Sequence, residues 1–218
     1  MSNIIDPTNP LAPSELVLLN SSPFTGKPNV NTEDVLNGKA KGLAKSLGEA
    51  ILTTAFLASE SAGAIRLEVE KGKKLFMFPT TKLRVVSNSS AVAWPVGSLE
   101  RYITSASKDR PEVHEVVHDW LGKDRDDPWS LVLDEVRDGL AQRQLLSITS
   151  DKVLKVFTTK KYALPEATSA LAAQQAPGPI QQLLTECKNA RPEIWLLLLS
   201  QVQRGVSRRE PPRDNSSE

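Results

Sequence analysis

Residues 50–70, AILTTAFLASESAGAIRLEVE, hold the change of pattern that decides the fold of this chain. Over 46–61 the apolar and small residues recur close to helical spacing with little charge between them, which predicts a buried α-helix. Gly63 is well placed to end this helix, because glycine accepts the left-handed backbone common at helix ends. From 65 to 70 apolar and charged residues alternate one by one, which predicts a half-buried β-strand.

A β-hairpin is predicted to follow this helix. The triplet Lys71-Gly72-Lys73 predicts a turn, and LFMF at 75–78 predicts the returning strand. We therefore interpret residues 46–86 as a helix that leads directly into a hairpin.

The same order of elements recurs later in the chain. Residues 129–146 have apolar side chains at helical spacing with charge elsewhere, which predicts a second helix. SITSDKVLKVFTT at 147–159 predicts two short strands with a turn near Ser150-Asp151. The predicted fold class is mainly α with small β-hairpins: a compact helical domain containing two helix-plus-hairpin, winged-helix-like units.

Most of the remaining chain is predicted to be helical or loop. Residues 11–19 predict a cap and a short helix or strand entering the core, and 20–31 predict a loop. Further helices are predicted at 32–45, 111–121 (with Pro111 near its first turn), 166–175, 180–189 and 192–205, the last being the most apolar. We expect one globular domain over 11–204, between a disordered N-terminus (1–10) and a disordered polar tail (205–218).

Composition and the apolar runs indicate the cellular compartment that we expect for the protein. The single cysteine, Cys187, allows no internal disulfide and fits a reduced compartment, and the first ten residues lack the features of a signal peptide. The longest apolar run, 194–199, has six residues, whereas a membrane-spanning helix needs about 20. We expect a cytoplasmic protein that meets a membrane, if at all, from its surface.

One short pattern suggests catalysis. The only two histidines, His114 and His118, frame the sequence HEVVH, with Glu115 after the first. Two histidines four apart share one face of a helix, and zinc metallohydrolases bind their metal in this way beside a glutamate general base. Because zinc needs a third protein ligand, Glu135 is the candidate that completes this hypothesis.

An ordinary amphipathic helix explains the same segment. Its core-facing stripe consists of Val113, Val116, Val117, Trp120 and Leu121. Both histidines fall just beyond the edge of that stripe, and Glu112 and Asp119 place charge where zinc proteases usually have uncharged residues. We therefore favour a non-catalytic protein without a cofactor and keep the zinc-dependent hydrolase as an alternative.

Basic residues gather on the hairpins and on the helix before the second one. The candidate contact residues are Lys71, Lys73, Lys74, Lys82, Arg84, Arg137, Arg143, Lys152 and Lys155, and Lys160 and Lys161 extend the second hairpin's group. Lysines on exposed hairpins also prevent strands from pairing edge to edge, which is a purely structural explanation. The functional interpretation is contact with anionic lipid headgroups, at roughly 1 kcal/mol per basic residue near the surface.

Nucleic-acid binding is the alternative that a winged helix suggests. The helix before the hairpin must then contact bases and phosphates. Residues 47–60 offer no suitable groups, and the later helix offers Arg137 and Arg143 among Asp134, Glu135 and Asp138. The formal net charge of +1 is also far from that of a typical nucleic-acid binder. We therefore expect no nucleic-acid partner.

Three segments resemble the Golgi-phosphoprotein family, whose members are phosphoinositide-binding peripheral Golgi adaptors with bacterial relatives. LAPSELVLL (11–19) is similar to its leucine-rich opening, and AILTTAFLASESAGAIRLEV (50–69) to its long apolar helix and following strand. VHDWLGKDRDDPWSLVLDEVRDGLAQRQLLS (117–147) is similar to its tryptophan-bearing helix, linker and next helix. The order and spacing agree over roughly 11–165, and a bacterial-type relative fits best.

The resemblance implies a non-enzymatic, mostly helical domain that associates with membranes or membrane proteins from the cytoplasmic side. In the Golgi members a tryptophan and arginines bind phosphatidylinositol 4-phosphate. Around 37–52 this chain instead has Lys39, Lys41 and Lys45, and the family's later arginines would fall near Asp134 and Glu135. We expect an adaptor-like module that contacts anionic membrane lipid or a membrane-associated protein through its basic hairpins and that can form a homo-oligomer.

Overall fold

The computed structural model of the chain describes residues 10–40, 42–74, 78–88, 92–122, 127–153, 157–175 and 177–207. Within these ranges the chain is mostly α-helical with two antiparallel two-stranded hairpins, which confirms the predicted fold class. The helices are α1 Pro13–Leu19, α2 Ser22–Thr25, α3 Thr32–Leu36, α4 Ala44–Ser61, α5 Leu99–Ala106, α6 Val113–Leu121, α7 Pro128–Gln142, α8 Glu166–Gln174, α9 Gly178–Ala190 and α10 Pro192–Ser207. The strands are β1 Ile65–Lys74, β2 Phe78–Ser87, β3 Ser147–Val153 and β4 Phe157–Ala163. None of the described helices combines the length and the apolar character that crossing a bilayer requires.

The predicted buried helix, α4, lies at the centre of the fold. It packs against α1, α5, α7, α9 and α10, and most of its length is buried. Gly48 brings α7 close, because a β-carbon at this position would lie 2.8 Å from Cε3 of Trp129. The absence of a side chain at Gly48 is therefore needed for the α4–α7 contact.

The first helix is enclosed on every side. All seven residues of α1 are buried, including Ser14 and Glu15, and the helix contacts α3, α4, α7 and α8. The sequence predicts a short helix or strand entering the core at 11–19, and residues 13–19 form a buried helix.

Both hairpins are longer than the sequence patterns predict. Gly72 pairs with Thr80 inside the β1–β2 ladder, so the turn predicted at 71–73 is wrong. Gly72 does not have the positive φ that a tight hairpin turn requires, so it continues the strand. Asp151 likewise pairs with Thr159, so the turn predicted near 150–151 is also wrong. Part of the predicted strand 75–78 lies outside the described residues.

Several helix boundaries also differ. The helix predicted over 32–45 ends at Leu36, and Gly38 and Gly42, with φ of +67° and +84°, separate it from α4. Pro111 precedes α6, and its carbonyl accepts a hydrogen bond from the Val85 N–H at 2.9 Å. The last helix continues beyond 205 to Ser207. Helices α2 and α5 are not evident from the sequence patterns.

Candidate anion-binding face

A cavity lined by lysines lies where α3 meets the second hairpin. It has a volume of about 560 Å³, and Lys39, Lys160, Lys161 and Glu33 are among the residues that line it. We call it the lysine cavity. Lys39 follows α3, whereas Lys160 and Lys161 lie on β4, so residues more than a hundred positions apart in the chain share one positively charged surface.

The side chain of Asn37 fixes the geometry of the lysine cavity. Its Nδ2 donates to the Tyr162 carbonyl oxygen at 2.9 Å, and its Oδ1 accepts from the Tyr162 N–H at 3.0 Å. This pair of hydrogen bonds attaches the end of α3 to β4 as a neighbouring strand would. The Tyr162 hydroxyl donates to Asp138 Oδ1 at 2.7 Å. Burial raises the pKa of Tyr162, and Asp138 raises it further, so this phenol stays protonated and keeps donating.

Two of the lysines have exposed acidic partners. Lys160 Nζ lies 3.3 Å from Asp138 Oδ1, and Lys39 Nζ lies 3.9 Å from Asp34 Oδ1. Exposed ion pairs of this kind contribute at most about 1 kcal/mol, so an incoming anion can replace the acidic partner at low cost. The ammonium groups of Lys39 and Lys160 are thus accessible to an anionic ligand.

A second cavity adjoins the other side of α3, at the N-terminal end of α4. Its volume is about 340 Å³, and we call it the α4 cavity. The N-cap of α4 is Leu43, whose side chain cannot accept a hydrogen bond from the first helical turn. An uncapped N-terminus of an 18-residue helix presents N–H groups and the positive end of the helix dipole to an anion.

One acidic residue makes the α4 cavity less favourable for binding an anion. Asp127 caps α7 by accepting from the Ser130 N–H at 3.2 Å and from the Ser130 hydroxyl at 2.5 Å. These hydrogen bonds lower the pKa of Asp127, so its negative charge persists at neutral pH. The lysine cavity is therefore the more favourable of the two sites for an anion.

Arg137, a predicted contact residue, is buried in the wall of the α4 cavity. Its guanidinium donates to the carbonyl oxygens of Leu36 at 2.8 Å and Leu133 at 3.1 Å. It also forms an ion pair with Asp134 at 2.8 Å and lies 5.5 Å from the centre of the Tyr162 ring. With these partners Arg137 joins α3, α7 and β4, and its position differs from the predicted surface contact.

Arg143 also has structural partners instead of a free surface. It lies directly after α7, forms an ion pair with Glu15, and donates to the Pro10 carbonyl oxygen at 2.6 Å and the Gly139 carbonyl oxygen at 3.2 Å. Half-buried between α1 and α7, this arginine serves the packing of α1.

The basic residues of the first hairpin are tied to nearby acidic or carbonyl groups where the structure describes their side chains. Lys71 lies 3.5 Å from Glu193, and Lys82 lies 2.6 Å from Glu112. Arg84 pairs with Glu70 at 2.9 Å and donates to the Arg110 carbonyl at 3.3 Å. The remaining predicted residues are placed by backbone alone: Lys73 and Lys74 lie on β1, Lys152 lies on β3, and Lys155 lies outside the described residues.

The HEVVH segment forms α6, but its two histidines have different surroundings. His114 is 3% exposed, because α10 packs against α6 and covers the edge of the predicted core stripe. Its Nδ1 lies 3.3 Å from Glu112 Oε2, whereas His118 Nδ1 lies 3.3 Å from Asp119 on the surface. Glu135 is a half-buried residue of α7. Among the described residues no group of three or more histidine, cysteine, aspartate or glutamate side chains is arranged to bind a metal.

Sequence reasoning identified the individual lysines of this face but missed the groups that bring them together. Asn37 and Tyr162 are 125 positions apart, and neither belongs to a recognisable motif. Compared with known proteins, the chain matches no family model, no curated protein and no solved structure. The lysine cavity is therefore the candidate functional site that the geometry of the chain itself indicates.

Proposed function

We propose that this protein is a non-catalytic, adaptor-like module that attaches to anionic membrane lipid, and that the lysine cavity is its contact surface. The observation that carries the proposal is the meeting of Lys39, Lys160 and Lys161 around a cavity of about 560 Å³. The second hairpin supplies two of these three lysines, in keeping with the predicted role of a basic hairpin. The resemblance to the Golgi-phosphoprotein family supports the same class of function.

Electrostatics favour a membrane surface as the partner. Basic residues near an anionic leaflet contribute about 1 kcal/mol each, so three lysines that act together provide a weak, reversible attachment. The uncapped N-terminus of α4, on the other side of α3, is a separate positive group beside the α4 cavity. Since these contributions decrease within a Debye length, the attachment should weaken as salt increases.

Vesicle co-sedimentation tests the proposal. Wild-type protein should bind phosphatidylcholine vesicles that contain phosphatidylserine, should not bind phosphatidylcholine alone, and should lose binding in high salt. Replacing Lys39, Lys160 and Lys161 together with glutamate should abolish this binding. The matched control replaces Lys108, Lys188 and Arg204 with glutamate, because these exposed residues lie on other elements and give the same change of charge.

The first hairpin provides a separate arm of this experiment. Replacing Lys71, Lys73 and Lys74 with glutamate tests the other predicted basic surface. Loss of binding in this variant, with binding retained in the lysine-cavity variant, would move the contact surface to the first hairpin. Equal, negligible binding of wild-type protein to both vesicle types would remove the membrane function, and a membrane-associated protein would become the expected partner.

A further inference from the structure

Two carboxyl groups and one guanidinium meet in the interior at the N-terminal end of α1. Glu15 is 1% exposed and Glu100, from α5, is fully buried. Arg143, directly after α7, reaches the same place and pairs with Glu15. Three parts of the chain that are far apart in sequence are therefore joined by buried charge, and none of the three residues lines the lysine cavity.

The partners of Glu15 are all hydrogen-bond donors. The Ala12 N–H donates to Oε2 at 2.8 Å, and the Arg143 guanidinium donates to Oε1. Arg143 Nη1 also donates to the Pro10 carbonyl oxygen at 2.6 Å, so the same side chain holds the chain that leads into α1. Donors of this kind favour the ionised form of a carboxyl group.

The partners of Glu100 differ in one respect. The Ser14 N–H donates to Oε1 at 2.7 Å, and Ser14 Oγ lies 2.9 Å from Oε2. A hydroxyl oxygen can accept a hydrogen bond as well as donate one. The Ser14 hydroxyl can therefore accept a hydrogen bond from a protonated Glu100, whereas the Ala12 N–H and the Arg143 guanidinium can only donate to Glu15.

The balance of charge requires a proton in this cluster. If both carboxyl groups were ionised, two negative charges would face a single guanidinium in an interior that solvates charge poorly. Burial raises the pKa of Glu15 to about 7, although the charge of Arg143 opposes that shift, and Glu100 adds to it. Burial also raises the pKa of Glu100, on which the hydrogen bonds of Ser14 and the charge of Arg143 act in the opposite direction.

We propose that Glu100 keeps its proton at neutral pH and donates it to Ser14 Oγ, while Glu15 is ionised and paired with Arg143, so that the cluster acts as a proton-dependent latch for α1. The sign of its pH dependence follows from the raised pKa values of both groups. Stability from such groups is complete below their unfolded pKa of about 4.3 and is lost as pH rises through the folded values. The seating of α1 against α5 and α7 should therefore loosen as the solution becomes alkaline.

Infrared difference spectroscopy on the intact protein tests the position of the proton. Wild-type protein at about pH 7.5 should show the carbonyl stretch of a protonated carboxylic acid, well separated from carboxylate bands, and Glu100→Gln should remove it. Ser14→Ala retains the N–H donor but loses the hydroxyl, so this band should shift instead of disappearing. Absence of the band in wild-type protein, or its persistence in Glu100→Gln, would overturn the proposal.

Unfolding measured against pH provides the second readout. Wild-type protein should lose thermal stability as pH rises from about 4.3 through about 7 and beyond, and Glu100→Gln, which mimics the protonated group, should show a clearly smaller loss. Glu186→Gln, at an exposed position on α9, is the matched control and should retain the wild-type slope. If folded Glu100→Gln lost thermal stability with pH as steeply as wild-type protein, the latch would be contradicted.

Discussion

Gly205 of α10 lies directly against the backbone of His114 in α6. A β-carbon at Gly205 would come within 2.7 Å of the His114 carbonyl oxygen and within 2.7 Å of Val117 Cβ. The His114 carbonyl oxygen and Val117 Cβ both belong to the buried helix α6, so moving them away would cost stability. The α6–α10 contact therefore requires a glycine here, in the last turn of α10.

Gly205→Ala should destabilise the fold by about 1–3 kcal/mol, the usual cost of overpacking a well-packed interior. The free energy of unfolding from urea titration measures this effect. Gly178→Ala is the matched control, because nothing lies within 4 Å of a β-carbon at this first residue of α9. Because Gly178 precedes Pro179, alanine there meets only the backbone restriction of a residue before proline, so the control should lose clearly less stability than Gly205→Ala. An equal loss in both variants would show that steric contact is not the cause.

Two leucines of α10 should respond very differently to truncation. Leu198 is fully buried, whereas Leu196 is 66% exposed. Leu198→Ala should reduce the free energy of unfolding by about 2–5 kcal/mol, because it leaves a cavity in the core. Leu196→Ala should change it by less than about 0.5 kcal/mol, as is usual for surface positions. Similar losses at both positions, measured by urea unfolding, would contradict the observed orientation of α10.

Arg137→Ala should cost about 3 kcal/mol, because it leaves two carbonyl oxygens without their charged donor and removes the contact with Tyr162. Arg137→Lys should recover only part of this loss, since an ammonium group lacks the planar fork that reaches Leu36 and Leu133 together. Chemical denaturation provides the measurement. Arg204→Ala, at an exposed position, is the control, and equal stability of all three variants would refute the structural role of Arg137.

Acid should weaken the attachment of the first hairpin to α6. Burial raises the pKa of Glu112, but the hydrogen bond and charge of Lys82, together with the charges of His114 and Arg84, outweigh it and lower the pKa overall. A lowered pKa gives stability that is present above the unfolded value of about 4.3 and is lost as pH falls through the folded value.

Wild-type protein should therefore lose more stability than Glu112→Gln when pH falls from about 7 to about 3. Urea midpoints at the two pH values give the comparison, and Glu166→Gln, on the exposed first turn of α8, serves as the control. A loss as steep in Glu112→Gln as in wild-type protein would show that the Lys82–Glu112 pair does not control acid sensitivity.

Purified protein should contain no stoichiometric zinc. The expectation follows from the different surroundings of His114 and His118 and from the lack of a suitable three-ligand group among the described residues. Elemental analysis after gel filtration in buffer supplemented with zinc provides the measurement. One zinc ion per chain that disappears in His118→Ala would instead restore the hydrolase hypothesis.

The spacing of apolar residues predicted those elements that short stretches of sequence determine by themselves. The change at Gly63 from helical to alternating spacing marks the end of α4 and the beginning of β1 within a few residues. Hairpin length was missed because Gly72 can occupy either a turn or a strand, and only its pairing with Thr80 decides between them. Helix α5 was missed because its buried Glu100 looks, in sequence, like an ordinary surface residue.

The role of each charged residue depends on partners that sequence does not reveal. Arg137 and Lys160 are both basic residues near the second hairpin, yet one is buried and the other is exposed beside the lysine cavity. The difference arises because the carbonyl oxygen of Leu36, 101 positions away, accepts a hydrogen bond from Arg137. Composition can therefore indicate that a basic surface exists, whereas the fold decides which residues form it.

The enclosure of α1 has a consequence for how the protein is made. This helix leaves the ribosome before every element that covers it, including Arg143 and the Ala172 carbonyl that accepts a hydrogen bond from Asn20. α3, α4 and α7 can cover part of it earlier, but its cover is complete only when α8 has been synthesised, which at typical rates takes on the order of ten seconds or more. The enclosure of α1 is thus completed late, and a nascent chain halted before α8 should expose the part of α1 that α8 covers to chaperones that bind apolar segments.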